Sequence, residues 1–298
     1  MGIYLSSPDT RKDCHDGQGK LCRFGASAMQ GWRLNMEDDH ISDASFDGDT
    51  CLFAIFDGHG GCEVAKFCAK HFGEQLKKNS NYQKGNYEEA LKDTFLLMDV
   101  MLTTPEGQAE LRTLKNEADG GDSFAGCTAN VCLITKKEIY CANAGDSRSY
   151  LYSNRRVVEL SFDHKPDNTI EKTRIQKAGG FIIEGRVNGN LNLSRAIGDL
   201  EYKKNTSLKP QEQLISAYPD VTRRPIKPED NFIVMGCDGV WEILTAEEIC
   251  TIIENKTKSP NAKLSDAMNE ILDKGLAPDT SMGTGCDNMS GCIIQFKH

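Results

Sequence analysis

The sequence has no apolar run that approaches the roughly 20 residues needed for a membrane-spanning helix. Its amino terminus lacks the basic and apolar regions of a secretory signal. Sustained Lys/Arg runs are also missing, and the 298 residues carry a formal net charge of −9. Because contacts with phosphates supply most of the affinity for nucleic acids, this charge argues against a nucleic-acid surface. We expect an intracellular, cytoplasmic chain, with membrane association or a nuclear location as alternatives.

The twelve cysteines lack the spacings of the common cysteine sites. No two form a C-x-x-C pair, so neither a zinc ribbon nor a thioredoxin-type redox site is expected. None is followed six residues later by arginine, which excludes the phosphate-binding loop of cysteine-dependent phosphatases. Within apolar segments a free thiol behaves as a small buried hydrophobe, and the cysteines placed there are Cys51, Cys132, Cys141, Cys237 and Cys292.

The chain shows no internal repeats, low-complexity tracts or Pro-rich linkers, which favours a single domain. We expect an N-terminal extension over residues 1–22 and one domain over residues 23–298. Residues 164–204 differ from their surroundings, because they combine a short helical pattern with a Gly/Asn-rich turn at residues 187–190. We predict that residues 164–204 form a mobile flap near the functional site.

Apolar periodicities divide the chain between strands and helices. Strand patterns lie at residues 24–29, 40–44, 51–56, 128–134, 138–142, 148–152, 181–184, 232–236 and 291–296. Helical patterns lie at residues 63–78, 87–102, 170–177, 246–255 and 266–275. Thr245 and Glu248 form a capping box, and Gly275 is read as a glycine stop. Tight turns between sequential strands favour antiparallel sheets, packed together and covered by helices, over a doubly wound parallel sheet.

Acidic side chains stand beside the ends of several predicted strands. In one partly dry cleft these carboxylates would repel one another and take up protons unless a cation compensated them. Oxygen ligands completed by water suit Mg or Mn, and a pair of such ions can activate water and clamp a phosphoryl centre. We therefore predict a divalent-cation site built from Glu37, Asp38, Asp57, Asp146, Asp238 and Asp287.

Neighbouring residues suit the same site. Gly58 lets the backbone turn sharply after the strand and brings its carbonyl close to a metal. His59 is placed as a proton donor, and Arg33 could hold a phosphate through two hydrogen bonds. Each residue has an ordinary interpretation when taken alone: Asp-Gly is usually a turn, such a histidine is more often structural, and such an arginine is more often a surface charge.

Seven motifs occur in the order seen in PP2C-type metal-dependent serine/threonine phosphatases. They are RLNMED at 33–38, FDGHGG at 56–61, GCTA at 126–129, AGDSR at 144–148, LSRAIGD at 193–199, CDGVW at 237–241 and DNMS at 287–290. The combination outweighs the ordinary interpretation of each part. The sequence therefore resembles this family over nearly its whole length.

The resemblance implies an α+β fold, a four-layer α-β-β-α sandwich in which helices flank two antiparallel sheets. It also implies a centre of two Mn or Mg ions at one end of the sandwich. By position, Asp57 would bridge both ions, while the Gly58 carbonyl and Glu37, through water, would serve one of them. Asp238 and Asp287 would serve the other ion.

The resemblance further implies hydrolysis of phosphoserine and phosphothreonine by a metal-bridging hydroxide that attacks phosphorus without a phosphoenzyme. Arg33 would bind the phosphate, and His59 would protonate the departing alkoxide. Asp38 and Thr128 would support the metal-bound waters, and Asn288 would orient the aspartate that precedes it. Phosphorylated proteins are the expected substrates, and the enzyme is expected to be a monomer.

Two features depart from the family pattern. The weaker third ion of the family uses the aspartates matching Asp146 and Asp238 and an aspartate four residues further on, where this chain has Glu242. Residues 1–6 and 27–32 are similar to the mammalian gamma-type branch, yet the long acidic insertion of that branch is absent.

The first residues, MGIYLS, fit N-myristoylation at Gly2 and fit an unmodified terminus equally well. One acyl chain would give only weak, reversible membrane association.

Two other functions stay open: a two-metal nuclease or phosphodiesterase, which the acidic balance disfavours, and a pseudophosphatase that binds phosphoproteins without hydrolysing them. A pseudophosphatase would lack a metal ligand, whereas Asp57, Asp238 and Asp287 are all present.

Overall fold

The computed structural model describes residues 4–115, 123–259 and 262–297. Its strands are β1 Tyr4–Asp9, β2 Asp13–Gln18, β3 Cys22–Met29, β4 Gly31–Arg33, β5 Asp39–Asp47, β6 Thr50–Phe56, β7 Gly58–His59, β8 Gly126–Cys127, β9 Ala129–Ile134, β10 Glu138–Ala144, β11 Arg148–Ser153, β12 Arg156–Glu159, β13 Ile182–Ile183, β14 Arg186–Val187, β15 Ile197–Gly198, β16 Asp220–Pro225, β17 Asp230–Gly236 and β18 Met289–Phe296. Its helices are α1 Glu63–Lys78, α2 Ser80–Gln83, α3 Tyr87–Thr103, α4 Pro105–Lys115, α5 Thr169–Lys177, α6 Asp238–Trp241, α7 Ala246–Lys256 and α8 Leu264–Gly275, with 3-10 turns at Leu200–Lys203 and Pro210–Glu212.

Two antiparallel sheets form the centre of the molecule. The five-stranded sheet has the order β16-β10-β9-β6-β5, and the six-stranded sheet has the order β12-β11-β17-β18-β3-β2. Neighbouring strands in both sheets run antiparallel, including the β9–β10 hairpin predicted from its tight turn. The predicted fold class, α+β with antiparallel sheets and flanking helices, is confirmed.

The sequence of β6 shows how the layers are built, because side chains along a strand alternate between its two faces. Phe53 and Ile55 belong to the core between the two sheets. Leu52 and Phe56 belong to a second core, between the five-stranded sheet and its helices. Every residue of β6 is buried. The uninterrupted apolar run is therefore the pattern expected of a strand covered on both faces.

Helices cover the outer faces of the sheets with apolar stripes. Phe72 of α1 and Phe95 of α3 pack edge to face, with ring centroids 5.3 Å apart, over the five-stranded sheet. Ile253 of α7 and Leu272 of α8 pack with the six-stranded sheet. The four layers bury large apolar side chains, each of which contributes about 1.5–3 kcal/mol when fully buried.

Among the residues that the structure describes, no helix is long and apolar enough to cross a membrane.

Most predicted elements are confirmed, with three differences at their ends. Helix α1 has its predicted bounds, and Thr245 and Glu248 form both hydrogen bonds of the capping box at α7. The strand predicted at residues 181–184 is reduced to the two residues of β13. Helix α8 begins at Leu264, earlier than predicted, and Gly275 is its last helical residue. The predicted end of the helix at Gly275 is confirmed, but Gly275 does not adopt the left-handed conformation of a glycine cap, and the chain leaves α8 through extended backbone at Leu276.

The first residues of the described chain join the fold. Strand β2 pairs with β3 as an edge strand of the six-stranded sheet, and β1 pairs with β4. The β2 sequence DCHDGQ is polar and mostly exposed, so it lacks the apolar alternation from which strands are predicted. Charged side chains at such an edge hinder pairing with another chain. The segment set apart as an extension therefore supplies structure to the sandwich.

The region predicted as a flap has a small core of its own. Helix α5 and the β13–β14 hairpin pack around Ile175, Val187, Ala196 and Ile215. This cluster extends beyond residue 204, the predicted end of the region. The mobility of the flap and the division of the chain into an extension, a domain and a flap stay predictions.

Candidate metal centre

A polar cleft of about 310 Å³ opens at one edge of the sandwich. Asp57 follows β6, Asp238 follows β17 and begins α6, and Asp287 precedes β18. Because β17 and β18 are antiparallel, with Gly236 opposite Gly291, the end of one strand lies beside the start of the other. The cleft is lined by Arg33, Leu34, Asn35, Glu37, Asp57, Gly58, His59, Gly60, Thr128, Asp146, Asn192, Leu193, Asp238, Asp287 and Asn288.

Three predicted carboxylates meet in this cleft. Oxygens of Asp57, Asp146 and Asp238 all lie within 4.8 Å of one another. Burial, together with repulsion by Asp38 and Asp238, raises the pKa of Asp57 well above its ordinary value. Burial, then repulsion by Asp146, raises the pKa of Asp238 to about 7. The chain thus concentrates carboxylates that are costly to ionise together without a cation.

Asp38 lies beside this group, and its oxygen is available for a further partner. The Oδ2 atom of Asp38 is buried and makes no hydrogen bond to any part of the chain that the structure describes. Burial is the main cause that raises the pKa of Asp38 to about 7. An orphaned buried carboxylate oxygen beside three clustered carboxylates fits a hydrated hard cation. The donor set therefore suits Mg or Mn.

Cys237 also approaches the cluster, with its sulfur within 4.8 Å of ligand oxygens of Asp38 and Asp57. Its thiol donates to the Asn288 carbonyl at 3.4 Å and accepts from the Ser290 amide at 3.2 Å. Burial raises the pKa of the thiol well above its ordinary value, whereas a metal ligand must be the thiolate. Cys237 therefore supports the backbone beneath the site.

Gly58 and Glu37 lie against each other where β7 begins. A Cβ at residue 58 would lie 2.2 Å from the Glu37 carbonyl oxygen, so only glycine fits the close approach. Burial raises the pKa of Glu37. The Glu37 amide donates to Asn288 Oδ1 at 3.0 Å, and the Asn288 amide donates to Asp287 Oδ1 at 2.7 Å. Asn288 thus links two of the predicted ligands.

Thr128 lies beneath Asp57, between β8 and β9. Its hydroxyl accepts from the Asp57 amide at 3.3 Å and is paired with the Ser147 hydroxyl at 2.8 Å. The Thr128 amide donates to the Asp57 carbonyl at 2.9 Å. These contacts fix the backbone on which the central carboxylate is carried.

Arg33 lies at the mouth of the cleft and is partly exposed. Its NH2 nitrogen donates to Asp287 Oδ2 at 2.6 Å. Burial lowers the pKa of the guanidinium, but the attraction of Asp287 is larger in sum and raises it. The permanently charged group is therefore held beside the predicted ligands, where an anion could reach it.

His59 has a partner that was not predicted. Its Nε2 is 2.7 Å from Asp199 Oδ2, although the two residues are separated by 140 positions in the sequence. Burial lowers the pKa of His59, but the Asp199 carboxylate outweighs this effect and raises it. Asp199 ends the motif at residues 193–199, and only the folded chain shows which side chain it contacts.

A second unpredicted contact joins Lys165 to the cluster, because its ammonium contacts Asp146 Oδ2. Glu242, the residue that departs from the family pattern, does not line the cleft. Its Oε2 accepts from the Gly285 amide at 2.5 Å. Burial raises the pKa of this carboxyl.

Ten of the predicted site residues meet in the cleft, and Asp38 lies beside it. Glu242 is engaged elsewhere, and Gly2 lies outside the described residues.

The chain is similar to known proteins over most of its length. The family model described as Protein phosphatase 2C matches residues 22–283. The chain is 53% identical over 301 residues to Probable protein phosphatase 2C 3 of Paramecium tetraurelia, with 100% of both chains covered. It is 41% identical over 331 residues to Probable protein phosphatase 2C 21 of Arabidopsis thaliana, with 100% of this chain and 93% of that protein covered.

A solved structure shares the fold. The structure of a phosphatase from a pathogenic strain of Toxoplasma gondii aligns with a TM-score of 0.78 at 24% identity, with 96% of each chain covered. This likeness supports the four-layer architecture. The extent of the family match and the identity to the curated relatives lead to one conclusion: the chain belongs to the Protein phosphatase 2C family.

Proposed function

We propose that this protein is a protein serine/threonine phosphatase that uses two divalent cations, Mn or Mg. The observation that carries the proposal is the group of buried and half-buried carboxylates, Asp57, Asp146 and Asp238, whose oxygens lie within 4.8 Å of one another at the strand ends. Membership of the Protein phosphatase 2C family, which is metal-dependent, supports the same activity.

The residues that would hold the ions are Asp57, the Gly58 carbonyl, Glu37, Asp238 and Asp287. All five line the cleft. When bound, the ions would supply an activated water for direct attack on phosphorus and would offset the charge of the phosphate. Asp38, Thr128 and Asn288 would hold these ligands and their waters in place.

Two further residues would act on the substrate. Arg33 would bind the phosphate oxygens through its guanidinium while it stays close to Asp287. His59 would give a proton to the serine or threonine oxygen as the P–O bond breaks, since an alkoxide is a poor leaving group at neutral pH. Both side chains face the cleft that would hold the phosphate.

A third ion is less well supported than the first two. The Glu242 carboxylate is bound to the Gly285 amide, and the Lys165 ammonium already lies on Asp146. We propose that a third ion binds weakly at most, because its ligands have other partners.

Four further points stay predictions: the likeness to the gamma-type branch, a monomeric state, a cytoplasmic location and acylation of Gly2.

The pseudophosphatase and nuclease alternatives fit the site less well. A pseudophosphatase would need a missing ligand, and every predicted ligand of the two ions faces the cleft. A nuclease would need cationic side chains along a groove, whereas the chain has a formal net charge of −9 and Arg33 is the only Lys or Arg among the residues lining the cleft.

The Asp57→Asn variant tests the proposal. We expect wild-type protein to hydrolyse a phosphothreonine peptide with added Mn or Mg and not in chelator. Asp57→Asn should lower kcat/KM by roughly 100-fold or more, because several kcal/mol of charge stabilisation are lost with the ions. Glu106→Gln, at an exposed position of α4, is the matched control and should keep wild-type activity. Full activity in chelator, or in Asp57→Asn, would contradict the metal assignment.

A further inference from the structure

A small three-stranded sheet beside the cleft carries two side chains that contact each other. Its order is β15-β8-β7, with β8 in the middle. His59 is the last residue of β7, and Asp199 immediately follows β15. His59 pairs with Gly126 of β8, and Gly126 pairs with Gly198 of β15. The two side chains therefore approach each other across the middle strand.

The contact is partly buried, and it depends on glycine at the middle position. His59 Nε2 is 2.7 Å from Asp199 Oδ2, and the Asp199 side chain is only 4% exposed. A Cβ at Gly126 would lie 2.5 Å from Asp199 Oδ2 and 2.6 Å from His59 Nε2. A side chain at residue 126 would therefore occupy the space in which the hydrogen bond forms.

The backbone of Asp199 is held in an unusual conformation. Its φ of 48° and ψ of 39° lie in the left-handed region, which non-glycine residues rarely adopt. The Asp199 amide donates to the Ala125 carbonyl at 3.1 Å, and the Tyr202 amide donates to the Asp199 carbonyl at 2.9 Å. These bonds fix the direction of the Asp199 side chain.

A second carboxylate anchors the same segment to α3. Asp99 Oδ1 accepts from the Gly198 amide at 2.8 Å, and Asp99 Oδ2 accepts from the Lys203 ammonium at 2.6 Å. Lys203 also donates to the Ala196 carbonyl at 2.7 Å. Asp99 thus supports the segment that carries Asp199, while its own contacts are with Gly198 and Lys203.

We propose that Asp199 is a positioning residue that orients the His59 ring for proton donation to the leaving group. This inference rests on the proposed function. Because Nε2 of His59 contacts Asp199, Nδ1 is the ring nitrogen that can serve the cleft. A carboxylate on one nitrogen fixes the hydrogen on that side and so determines which nitrogen can exchange a proton with a substrate.

The proton balance is simple. As the P–O bond breaks, its electron pair stays on the serine or threonine oxygen, and that oxygen takes the proton from His59 Nδ1. The ring becomes neutral and keeps its Nε2–H directed at the Asp199 side chain. Solvent returns a proton to Nδ1 before the next turnover. Asp199 does not touch the substrate in this scheme.

The experiment compares Asp199→Asn with wild type on substrates that differ in their leaving groups. Asparagine has the same shape and also tolerates left-handed backbone. On a phosphothreonine peptide, whose alkoxide needs a proton, we expect kcat to fall about 10- to 100-fold. On p-nitrophenyl phosphate, whose leaving group is already stable, we expect a change within about threefold.

Three controls separate positioning from a merely structural role. Asp99→Asn weakens the same segment, so it should lower Tm. Any change that it makes in kcat should be the same for both substrates. When His59→Gln is already present, adding Asp199→Asn should lower kcat on the phosphothreonine peptide by less than about twofold. The effects of residues that act as a unit are not additive. Nitrogen-15 NMR of the neutral His59 ring should show the hydrogen on Nε2 in wild type and a mixture of tautomers in Asp199→Asn.

Some results would overturn the inference. Equal losses on both substrates, additive losses in the double variant, or unchanged ring tautomers in Asp199→Asn would each refute it. If wild type hydrolysed neither substrate with Mn, the proposed function would fail. In that case the ring-nitrogen spectra would still decide whether Asp199 orients His59.

Discussion

At the level of single residues, the carboxylates of the cleft oppose folding when no cation accompanies them. Burial and repulsion raise the pKa of Asp238 from 3.8 to about 7, and they raise that of Asp38 to about 7 as well. A carboxyl group whose pKa is higher in the folded state favours folding below its unfolded pKa, and this contribution is lost as pH rises through the folded pKa. The clustered carboxylates therefore lower the stability of the metal-free protein, and the same negative charge favours cation binding.

This exchange predicts an unusual pH dependence. The metal-free protein should be more stable at pH 5 than at pH 7 by about 1–2 kcal/mol, because protons replace the missing cation. Asp238→Asn should stabilise the metal-free protein at pH 7 and flatten the dependence. Urea unfolding in chelator, followed by circular dichroism, measures both effects.

The control for this prediction is Asp266→Asn, at an exposed position of α8. It should leave the difference between pH 5 and pH 7 as in wild type. If metal-free wild type were more stable at pH 7 than at pH 5, the repulsion between the clustered carboxylates would be too small to matter.

At the level of secondary structure elements, the flap and the central sheets differ in how firmly they are held. Strands β13 and β14 have two residues each and carry exposed apolar side chains such as Ile183. Strand β6 is buried along its whole length and pairs on both edges. Segments with few buried contacts open locally at low cost.

Hydrogen exchange should therefore separate these elements. Amides in residues 179–192 are expected to exchange at least about 100-fold faster than those of β6, because local opening of the hairpin disrupts only its small core. Mass spectrometry of peptic fragments measures the difference. Protection of residues 179–192 equal to that of β6 would refute a mobile flap.

The elements also show which parts of the fold could be predicted from sequence. Strand β6, helix α1 and the capping box of α7 follow from apolar periodicity and local hydrogen bonds, which act over a few residues. Strand β2 could not be predicted, because its polar sequence pairs only once β3 is in place. The two-residue strands β7, β8 and β15 carry no periodicity at all.

The same limit applies to the site. Motif order and a position beside an apolar strand predicted Asp57, Asp238 and Asp287 as ligands, and the fold brings all three to the cleft. The partner of His59 could not be found this way, since the contact with Asp199 joins residues 140 positions apart. Likewise, the Glu242 substitution was visible in the sequence, but its hydrogen bond to Gly285 was not.

At the level of the whole molecule, the sandwich brings separate parts of the chain to one edge. The five-stranded sheet supplies Asp57 and the six-stranded sheet supplies Asp238 and Asp287. The core between the sheets fixes the distance between these groups, because close-packed interiors deform little. The central claim is therefore that the two sheets together form a centre for two divalent cations that makes the chain a phosphatase.

Counting bound Mn²⁺ by electron paramagnetic resonance, with phosphothreonine peptide hydrolysis followed in the same samples, tests this claim most directly. We predict two tightly bound ions per chain at saturation, activity that rises with their occupancy, and fewer bound ions with no activity in Asp57→Asn. Hydrolysis at the full rate with no bound ion, or two tightly bound ions in an inactive wild-type protein, would contradict it.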